Sequence, residues 1–192
     1  MPTRRTPFIA GEFYHIYNRG INGLRIFNSE RNYCYFLKRM REKILPKYGL
    51  VICYVLMPTH YHLLIQINVN DFSSVMARLA ISYSKSINKE MNRSGPLFEG
   101  RFKAIHIDSD EYILALSSYI HLNPVKAKLV GSPEHWPYSS YLDYIGKRQG
   151  SLPKKEFLYS FFSVPNPPNE YYRFMNDVSL SPGKNIDHLL FD

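Results

Sequence analysis

The sequence predicts an α+β protein with a ferredoxin-like split βαβ sheet, which is antiparallel and carries helices on one face. Three observations support this fold class. Strand-like and helix-like segments alternate in the order strand, helix, strand, strand, helix, strand, and a further helix follows. The content of 45% hydrophobic and 21% charged residues is ordinary for a globular protein. The length of 192 residues is sufficient for a sizeable core.

The first half of the chain begins with a strand and a helix. Residues 13–17 alternate and are rich in aromatic side chains, which favours a strand that ends at Asn18-Arg-Gly20. Asn28-Ser29 then precedes apolar residues at helical spacing, so a helix with a basic outer face is predicted over residues 30–47. Gly49 is expected to end this helix.

A β-hairpin is predicted over residues 51–67. Two β-branched-rich runs, 51–57 and 63–67, flank the turn residues Pro58-Thr59. His60 and His62 follow the turn directly. Because side chains in a strand alternate between faces, both histidines point to the same face, and Tyr61 points to the other.

The second half continues with a helix, a strand and a third helix. Asp71 caps a helix whose buried face carries Val75, Leu79, Tyr83 and Ile87, and residues 92–96 end it. A short strand is predicted over residues 102–107. A third helix is expected from about Ser109 to His121 or Leu122. We therefore expect one domain over residues 1–145 and a loop-rich extension of unknown role over residues 146–192.

Charge and composition narrow the class of partner. Residues 1–130 carry 18 Lys and Arg against 9 Asp and Glu, whereas residues 131–192 carry 6 against 7. A basic segment of this kind favours a polyanion such as nucleic acid. The apolar runs are too short for a membrane span, and the N-terminus lacks the apolar core of a secretory signal. Cys34 and Cys53 form no metal-binding pattern, so we expect reduced thiols in a cytoplasmic protein.

Four residues are candidates for a reactive site. Two imidazoles on one face of a strand suit a metal ion, so His60 and His62 are candidate ligands. Tyr119 and Asn123 lie four residues apart and share a helix face if the third helix reaches Asn123. Asn123 then offers an oxygen ligand, and Tyr119 a nucleophile. A second interpretation stays open, because Asn123-Pro124 is also a good start for a short helix over residues 124–130.

The chain resembles the REP-associated tyrosine transposases, which are small single-tyrosine HUH transposases. The resemblance rests on His60-Tyr-His62 after a Met-Pro turn and on Tyr119-Ile-His-Leu-Asn-Pro-Val125. It extends over about residues 8–145 through three further segments, namely Tyr14-His-Ile-Tyr-Asn-Arg-Gly20, Phe98-Glu-Gly-Arg-Phe-Lys103 and Trp136-Pro-Tyr-Ser-Ser-Tyr141. Two residues depart from the family pattern, Thr59 in the turn and Tyr61 between the histidines.

The resemblance implies an enzyme, a metal-dependent single-tyrosine DNA endonuclease and strand transferase. It implies that His60, His62 and Asn123 hold Mg²⁺ or Mn²⁺, and that the third helix is catalytic. Tyr119 is implied to form a 5′-phosphotyrosine with single-stranded or hairpin DNA. Arg19, Arg101 and Lys103 lie in matching segments and are candidate DNA contacts, although a solvated surface charge explains each of them equally well.

Several alternatives remain open on the sequence. A DNA-binding regulator that keeps the fold without turnover is the alternative function. Tyr112 is the rival nucleophile, two helical turns before Tyr119. His15, His106 and His121 are expected to have structural roles. The sequence leaves undecided whether the chain acts as a monomer or a homodimer, and which of the two metals it uses.

Overall fold

A computed structural model describes residues 7–162 and 165–180. Four strands and six α-helices follow one another in these residues, and two short 3₁₀ helices, Ile21–Gly23 and Pro133–His135, lie between them. In chain order the elements are β1 (Phe13–Arg19), α1 (Glu30–Lys43), β2 (Gly49–Leu56), β3 (His60–Ile67), α2 (Phe72–Glu90), β4 (Lys103–Ile107), α3 (Asp110–Lys126), α4 (Tyr141–Tyr144), α5 (Lys155–Tyr159) and α6 (Pro167–Leu180).

The four strands form one antiparallel sheet in the order β2-β3-β1-β4. This order is the one expected when the two βαβ halves of a ferredoxin-like fold interleave, so the predicted fold class is confirmed. β3, which carries His60 and His62, is a central strand between β1 and β2. Every backbone group on the site strand can therefore pair with a neighbouring strand, which holds the histidines rigidly.

Each face of the sheet has its own hydrophobic cluster. Tyr61, Leu63 and Ile65 of β3 point into a cluster with residues of α1 and α2, including the predicted Val75, Leu79, Tyr83 and Ile87. On the opposite face, Leu64 packs with residues of α3, α4, α5 and α6. The histidines share the face of Leu64, because residues two apart on a strand point the same way. α1 and α2 therefore lie on one face, and α3 covers the face with the histidines.

Two helices end at different residues from those predicted. α1 ends at Lys43 rather than residue 47. Pro46 explains the early end, because proline has no amide hydrogen to donate and disfavours a helical conformation in the residue before it. α3 runs past the predicted end at His121 or Leu122 and continues to Lys126, with Pro124 inside it.

The continuation of α3 decides the open question about Asn123. The carbonyl oxygen of Asn123 accepts a hydrogen bond from the Ala127 amide at 2.9 Å, and that of Pro124 accepts one from Leu129 at 2.9 Å. Asn123 thus lies within one continuous helix and does not begin a separate helix over residues 124–130. It consequently shares a face of α3 with Tyr119.

The predicted extension over residues 146–192 falls partly outside the described residues. Its described part contains α5 and α6, and their buried residues Leu158, Tyr171 and Met175 belong to the cluster that also contains residues of α3. The division of the chain at residue 145 stays a prediction. Among the described residues, no helix is both long and apolar enough to cross a membrane.

Candidate active site

The two histidines lie side by side where β3 begins. Their ring centroids are 5.1 Å apart and the rings are nearly perpendicular, at 83°. His62 is buried, with 1% of its surface exposed, whereas His60 is partly exposed at the end of the strand. The pair therefore presents one accessible and one enclosed imidazole on the face of the sheet that α3 covers.

α3 places the other two candidate residues over this pair. The Oδ1 atom of Asn123 lies 3.4 Å from Nε2 of His60. The Tyr119 ring stands nearly perpendicular to that of His62, at 85°, with 5.5 Å between the centroids. Tyr119 and Asn123, one helical turn apart on α3, thus contact His62 and His60, which lie two residues apart on β3. The structure brings all four predicted residues together.

Hydrogen bonds on the far side of each imidazole fix its orientation. Nδ1 of His62 lies 2.9 Å from Nε2 of His15 on β1, and Nδ1 of His60 lies 2.9 Å from Oγ1 of Thr59. If each site histidine donates its Nδ1 proton to these partners, its Nε2 lone pair points into the site. Histidines that bind metals have this arrangement, since their other ring nitrogen donates to a fixed acceptor. In that tautomer, the hydroxyl oxygen of Thr59 is the acceptor for His60.

Burial favours the neutral form of both imidazoles. Loss of solvent lowers the pKa of His60, a smaller opposite effect comes from the hydrogen bond with Asn123, and Arg19 lowers the pKa slightly further. The pKa of His62 lies well below its usual range because the ring is buried, and the neighbouring His15 and His60 lower it further. Neutral imidazole is the form that binds a metal ion.

The donor atoms fit a divalent ion with mixed nitrogen and oxygen ligands. Within residues 7–162 and 165–180, no group of three or more His, Cys, Asp or Glu side chains is placed to hold a metal. The site instead offers two imidazole nitrogens and the amide oxygen of Asn123. The 3.4 Å between Nε2 of His60 and Oδ1 of Asn123 is short enough for both atoms to bind one ion. Mn²⁺ accepts such a ligand set more readily than Mg²⁺, which prefers oxygen.

Two residues that contact the site were not among the predicted site residues. His15, for which a structural role is predicted, is buried and contacts His62 directly. Lys126 places its Nζ atom 5.0 Å from the centroid of the Tyr119 ring. Lys126 follows Tyr119 by seven residues, so the spacing of two helical turns was a usable signal once the helix was known to extend this far. The contact of His15 could not be predicted from a local pattern, because its partner His62 lies 47 residues away in the sequence.

The remaining candidates do not belong to the group formed by His60, His62, Tyr119 and Asn123. Arg19, Arg101 and Lys103 line one pocket at the end of β1, where Arg19 forms an ion pair with Glu99.

The rival nucleophile Tyr112 lies near the start of α3, about 10 Å along the helix axis from Tyr119. His106 interacts with Glu12 at 3.1 Å. His121 points away from the site and hydrogen-bonds the Tyr171 hydroxyl at 2.7 Å.

Comparison with known proteins supplies a family. The model of the family described as IS200-like transposase matches residues 13–123, which include all four site residues. A solved structure described as the REP-associated tyrosine transposase bound to a REP hairpin is similar in fold, with a TM-score of 0.63 and 16% sequence identity. The similarity covers 80% of this chain and 98% of that one. A search of curated proteins finds no match. Since the family model spans more than half of the chain, including β3 and most of α3, the protein belongs to the IS200-like transposase family.

Proposed function

We propose that the protein cleaves and rejoins single-stranded or hairpin DNA through a covalent intermediate on Tyr119, with a divalent metal ion held by His60, His62 and Asn123. One observation carries the proposal. β3 and α3 are distant in sequence, yet they bring Tyr119 against His62. They also bring the amide oxygen of Asn123 against His60.

The chemistry follows from the residues. The phenol oxygen of Tyr119 attacks the scissile phosphorus, so a bond forms between that oxygen and phosphorus while the phenol loses its proton. The bond from phosphorus to the 3′ oxygen breaks, and this oxygen gains a proton to become a 3′-hydroxyl. The phosphotyrosine preserves a phosphate ester, so the same 3′-hydroxyl or another one can attack it without ATP. A bound metal ion supplies charge stabilisation to the phosphate oxygens.

The chain's own residues prepare this step. Tyr119 on α3 is only 8% exposed, which restricts the orientations of its phenol. The ammonium group of Lys126 beside the ring attracts the phosphate to the nucleophile. His15 and Thr59 orient the two imidazoles. Tyr119 and His15 are buried before substrate binds, so these two groups need little reorganisation during the reaction.

Hairpin DNA is the substrate class that the available observations support best. The structural neighbour is described as bound to a REP hairpin, and residues 1–130 carry a net charge of +9. This excess favours binding to a phosphate backbone through counterion release. The charge alone would suit a DNA-binding regulator equally well, so the test has to detect a covalent bond.

The decisive experiment uses hairpin oligonucleotides with single-stranded flanks, labelled at either the 5′ or the 3′ end, in Mg²⁺ or Mn²⁺. We expect wild-type protein to carry the 3′ label covalently after denaturation, because the tyrosine retains the downstream fragment. Tyr119→Phe should form no detectable adduct, since it lacks only the nucleophilic oxygen. Tyr112→Phe is the matched control on the same helix and should react like wild type.

Other results would change the assignment. An adduct that persists in Tyr119→Phe but disappears in Tyr112→Phe would move the nucleophile to Tyr112. Cleavage without any adduct would indicate a hydrolytic reaction. Wild-type protein that binds flanked hairpins but cleaves none of them with either metal would favour the regulator.

A further inference from the structure

A pocket of about 180 Å³ lies beside the candidate active site. Its walls are the end of β1 over residues 17–19, the segment 99–101 and Lys103. An apolar cavity of about 150 Å³ can hold a benzene ring. This pocket therefore has room for about one base.

The pocket shares a wall with the histidine pair. In the antiparallel pairing of β1 with β3, Tyr17 lies opposite His62 and Arg19 lies opposite His60. The rings of Tyr17 and His62 stack at 28° with 5.8 Å between their centroids. Directly opposed residues of antiparallel strands have Cα atoms only about 4.5–5.5 Å apart. A DNA strand that places one phosphate at the histidines therefore has its next nucleotide within reach of the pocket.

The segments around the pocket are joined by hydrogen bonds. Asn18 donates from Nδ2 to the carbonyl oxygen of Gly100 at 3.1 Å, and its Oδ1 accepts from the Arg19 amide at 2.9 Å. The Glu99 amide donates to the carbonyl oxygen of Arg19 at 3.0 Å. These bonds hold the end of β1 against the segment before β4. The pocket is consequently formed before any ligand binds, which reduces the entropy lost on binding.

The charges in the pocket favour a whole nucleotide over a phosphate alone. Arg19 and Glu99 form a two-point ion pair, with Nη2 of Arg19 2.8 Å from Oε1 of Glu99 and a second bond from Nε to Oε2. This pairing fixes the guanidinium plane and places a carboxylate that repels phosphate. A flat guanidinium group is a good stacking surface for a neutral base. Arg101 and Lys103 add two positive charges that suit a phosphate.

We infer that this pocket binds a single nucleotide next to the scissile phosphate, with its base on the Arg19–Glu99 pair and its phosphate contacted by Arg101 and Lys103. The inference rests on the proposed function, because it requires a DNA strand across His60 and His62. It adds a base-binding position to a site whose other contacts are to phosphate.

The test measures binding in the full-length Tyr119→Phe protein, so that cleavage cannot affect the result. Fluorescence anisotropy gives the affinity for a hairpin with single-stranded flanks, and a series of oligonucleotides carries one abasic residue at each flank position in turn. One position should weaken binding about 5- to 100-fold when its base is missing, as expected for loss of one stacked base. Cleavage mapping with wild-type protein should place that position next to the cut.

The double variant Arg19→Gln/Glu99→Gln then separates base binding from charge. It removes the ion pair but leaves the net charge unchanged, so phosphate attraction is preserved. We call the loss of affinity caused by one missing base the abasic penalty, and the flank position where it is large the sensitive position. In this variant we expect the abasic penalty at the sensitive position to fall below 2-fold. The matched control is Glu170→Gln/Arg173→Gln, which removes an exposed pair of the same type on α6 and should keep the full penalty.

The outcomes distinguish the pocket from the proposed reaction. An abasic penalty of unchanged size in the pocket variant, or a flank with no sensitive position, would overturn the inference while leaving cleavage by Tyr119 intact. A sensitive position remote from the mapped cut would also overturn it. Failure of the protein to bind any flanked hairpin would overturn the proposed substrate, and the pocket assignment with it. A penalty that depends on the pocket, together with cleavage at the adjacent phosphate, supports both.

Discussion

His15 shows how a single residue outside the predicted ligand set can control the site. It is fully buried on β1, and its Nε2 atom lies 2.9 Å from Nδ1 of His62. For His62 to offer Nε2 to a metal ion, its proton must reside on Nδ1 and be donated to His15. A hydrogen bond in this direction would stabilise the tautomer that the proposed metal site requires, although His15 itself is not among the proposed ligands.

Replacement of His15 by Phe should therefore weaken metal binding. Phenylalanine preserves an aromatic ring beside Tyr17 and His62 but accepts no hydrogen bond. We expect the dissociation constant for Mn²⁺, measured by calorimetry on the full chain, to rise about 10- to 100-fold, as is usual when a partner of a ligating histidine is removed.

The matched control for this experiment is His106→Phe. His106 lies on the neighbouring strand β4, and its Nε2 atom lies 3.1 Å from Oε2 of Glu12. We expect it to leave the affinity for Mn²⁺ unchanged. If His15→Phe retains wild-type affinity and normal thermal unfolding, His15 does not select the tautomer of His62.

At the scale of the element, α3 contacts the histidines with one face and the helices α4 and α6 with another. Tyr119 and Asn123 face the histidines, whereas Ser117 and His121, also four residues apart, face α6 and α4. His121 Nδ1 lies 2.7 Å from the Tyr171 hydroxyl of α6, and its Nε2 lies 2.8 Å from Oγ of Ser140. The Tyr171 hydroxyl also donates to Oγ of Ser117 at 3.3 Å. These buried bonds fix the rotation of α3, and with it the position of Tyr119.

The buried His121 makes this packing sensitive to acid. Burial, assisted by the positive charge of Arg148, lowers the pKa of His121 to about 3. The unfolded chain binds a proton near the ordinary value of about 6.5, so below that pH it binds more protons than the folded chain. The contribution of His121 to the free energy of unfolding is therefore fully present above about pH 6.5, and it is lost progressively as the pH falls towards 3.

We expect His121 to account for about 2 kcal/mol of the stability lost between pH 7 and pH 5. Urea unfolding of wild type and His121→Gln at both pH values measures this difference, and the other histidines contribute equally to both proteins. In native wild type, the NMR shift of the His121 ring should stay that of a neutral imidazole at pH 5. A ring that titrates near pH 6.5 in the native protein would contradict the expected effect of burial.

The order of these elements could be predicted from the sequence, but several contacts could not. Hydrophobic periodicity is local, so it located the hairpin of His60 and His62 and the buried face of α2 correctly. Helix ends depend on tertiary packing, so α3 was predicted to stop before Asn123. The contact between His15 and His62 depends on the register of β1 against β3, which no local pattern specifies. Thr59, Tyr17 and Glu99 acquire their roles in the same way.

At the scale of the whole molecule, both faces of the sheet carry a hydrophobic cluster, but only one of them also carries the candidate site. The face covered by α1 and α2 holds a hydrophobic cluster with large side chains such as Phe27 and Phe36. The other face combines the site with a second cluster, to which α5 and α6 contribute. The basic excess lies in residues 1–130, which contain all of the proposed DNA contacts, whereas residues 131–192 carry a net charge of −1.

This distribution predicts how DNA affinity depends on salt. Each phosphate contact of a single strand contributes about −0.7 to the slope of log affinity against log salt concentration. Removal of the charge at Arg101 or Lys103 by substitution with Gln should therefore make the slope less steep by about 0.7 for each residue. Anisotropy titrations from low to moderate salt, with a flanked hairpin and Tyr119→Phe as the parent protein, measure this change.

Lys154→Gln is the control, because its exposed charge belongs to the segment without a basic excess. We expect it to leave the slope unchanged even if overall affinity shifts slightly through long-range attraction. Equal slopes for Arg101→Gln, Lys103→Gln and the parent would show that neither cation contacts a phosphate. The DNA would then have to cross the sheet from His60 towards α3 and Lys126 instead of passing over the end of β1.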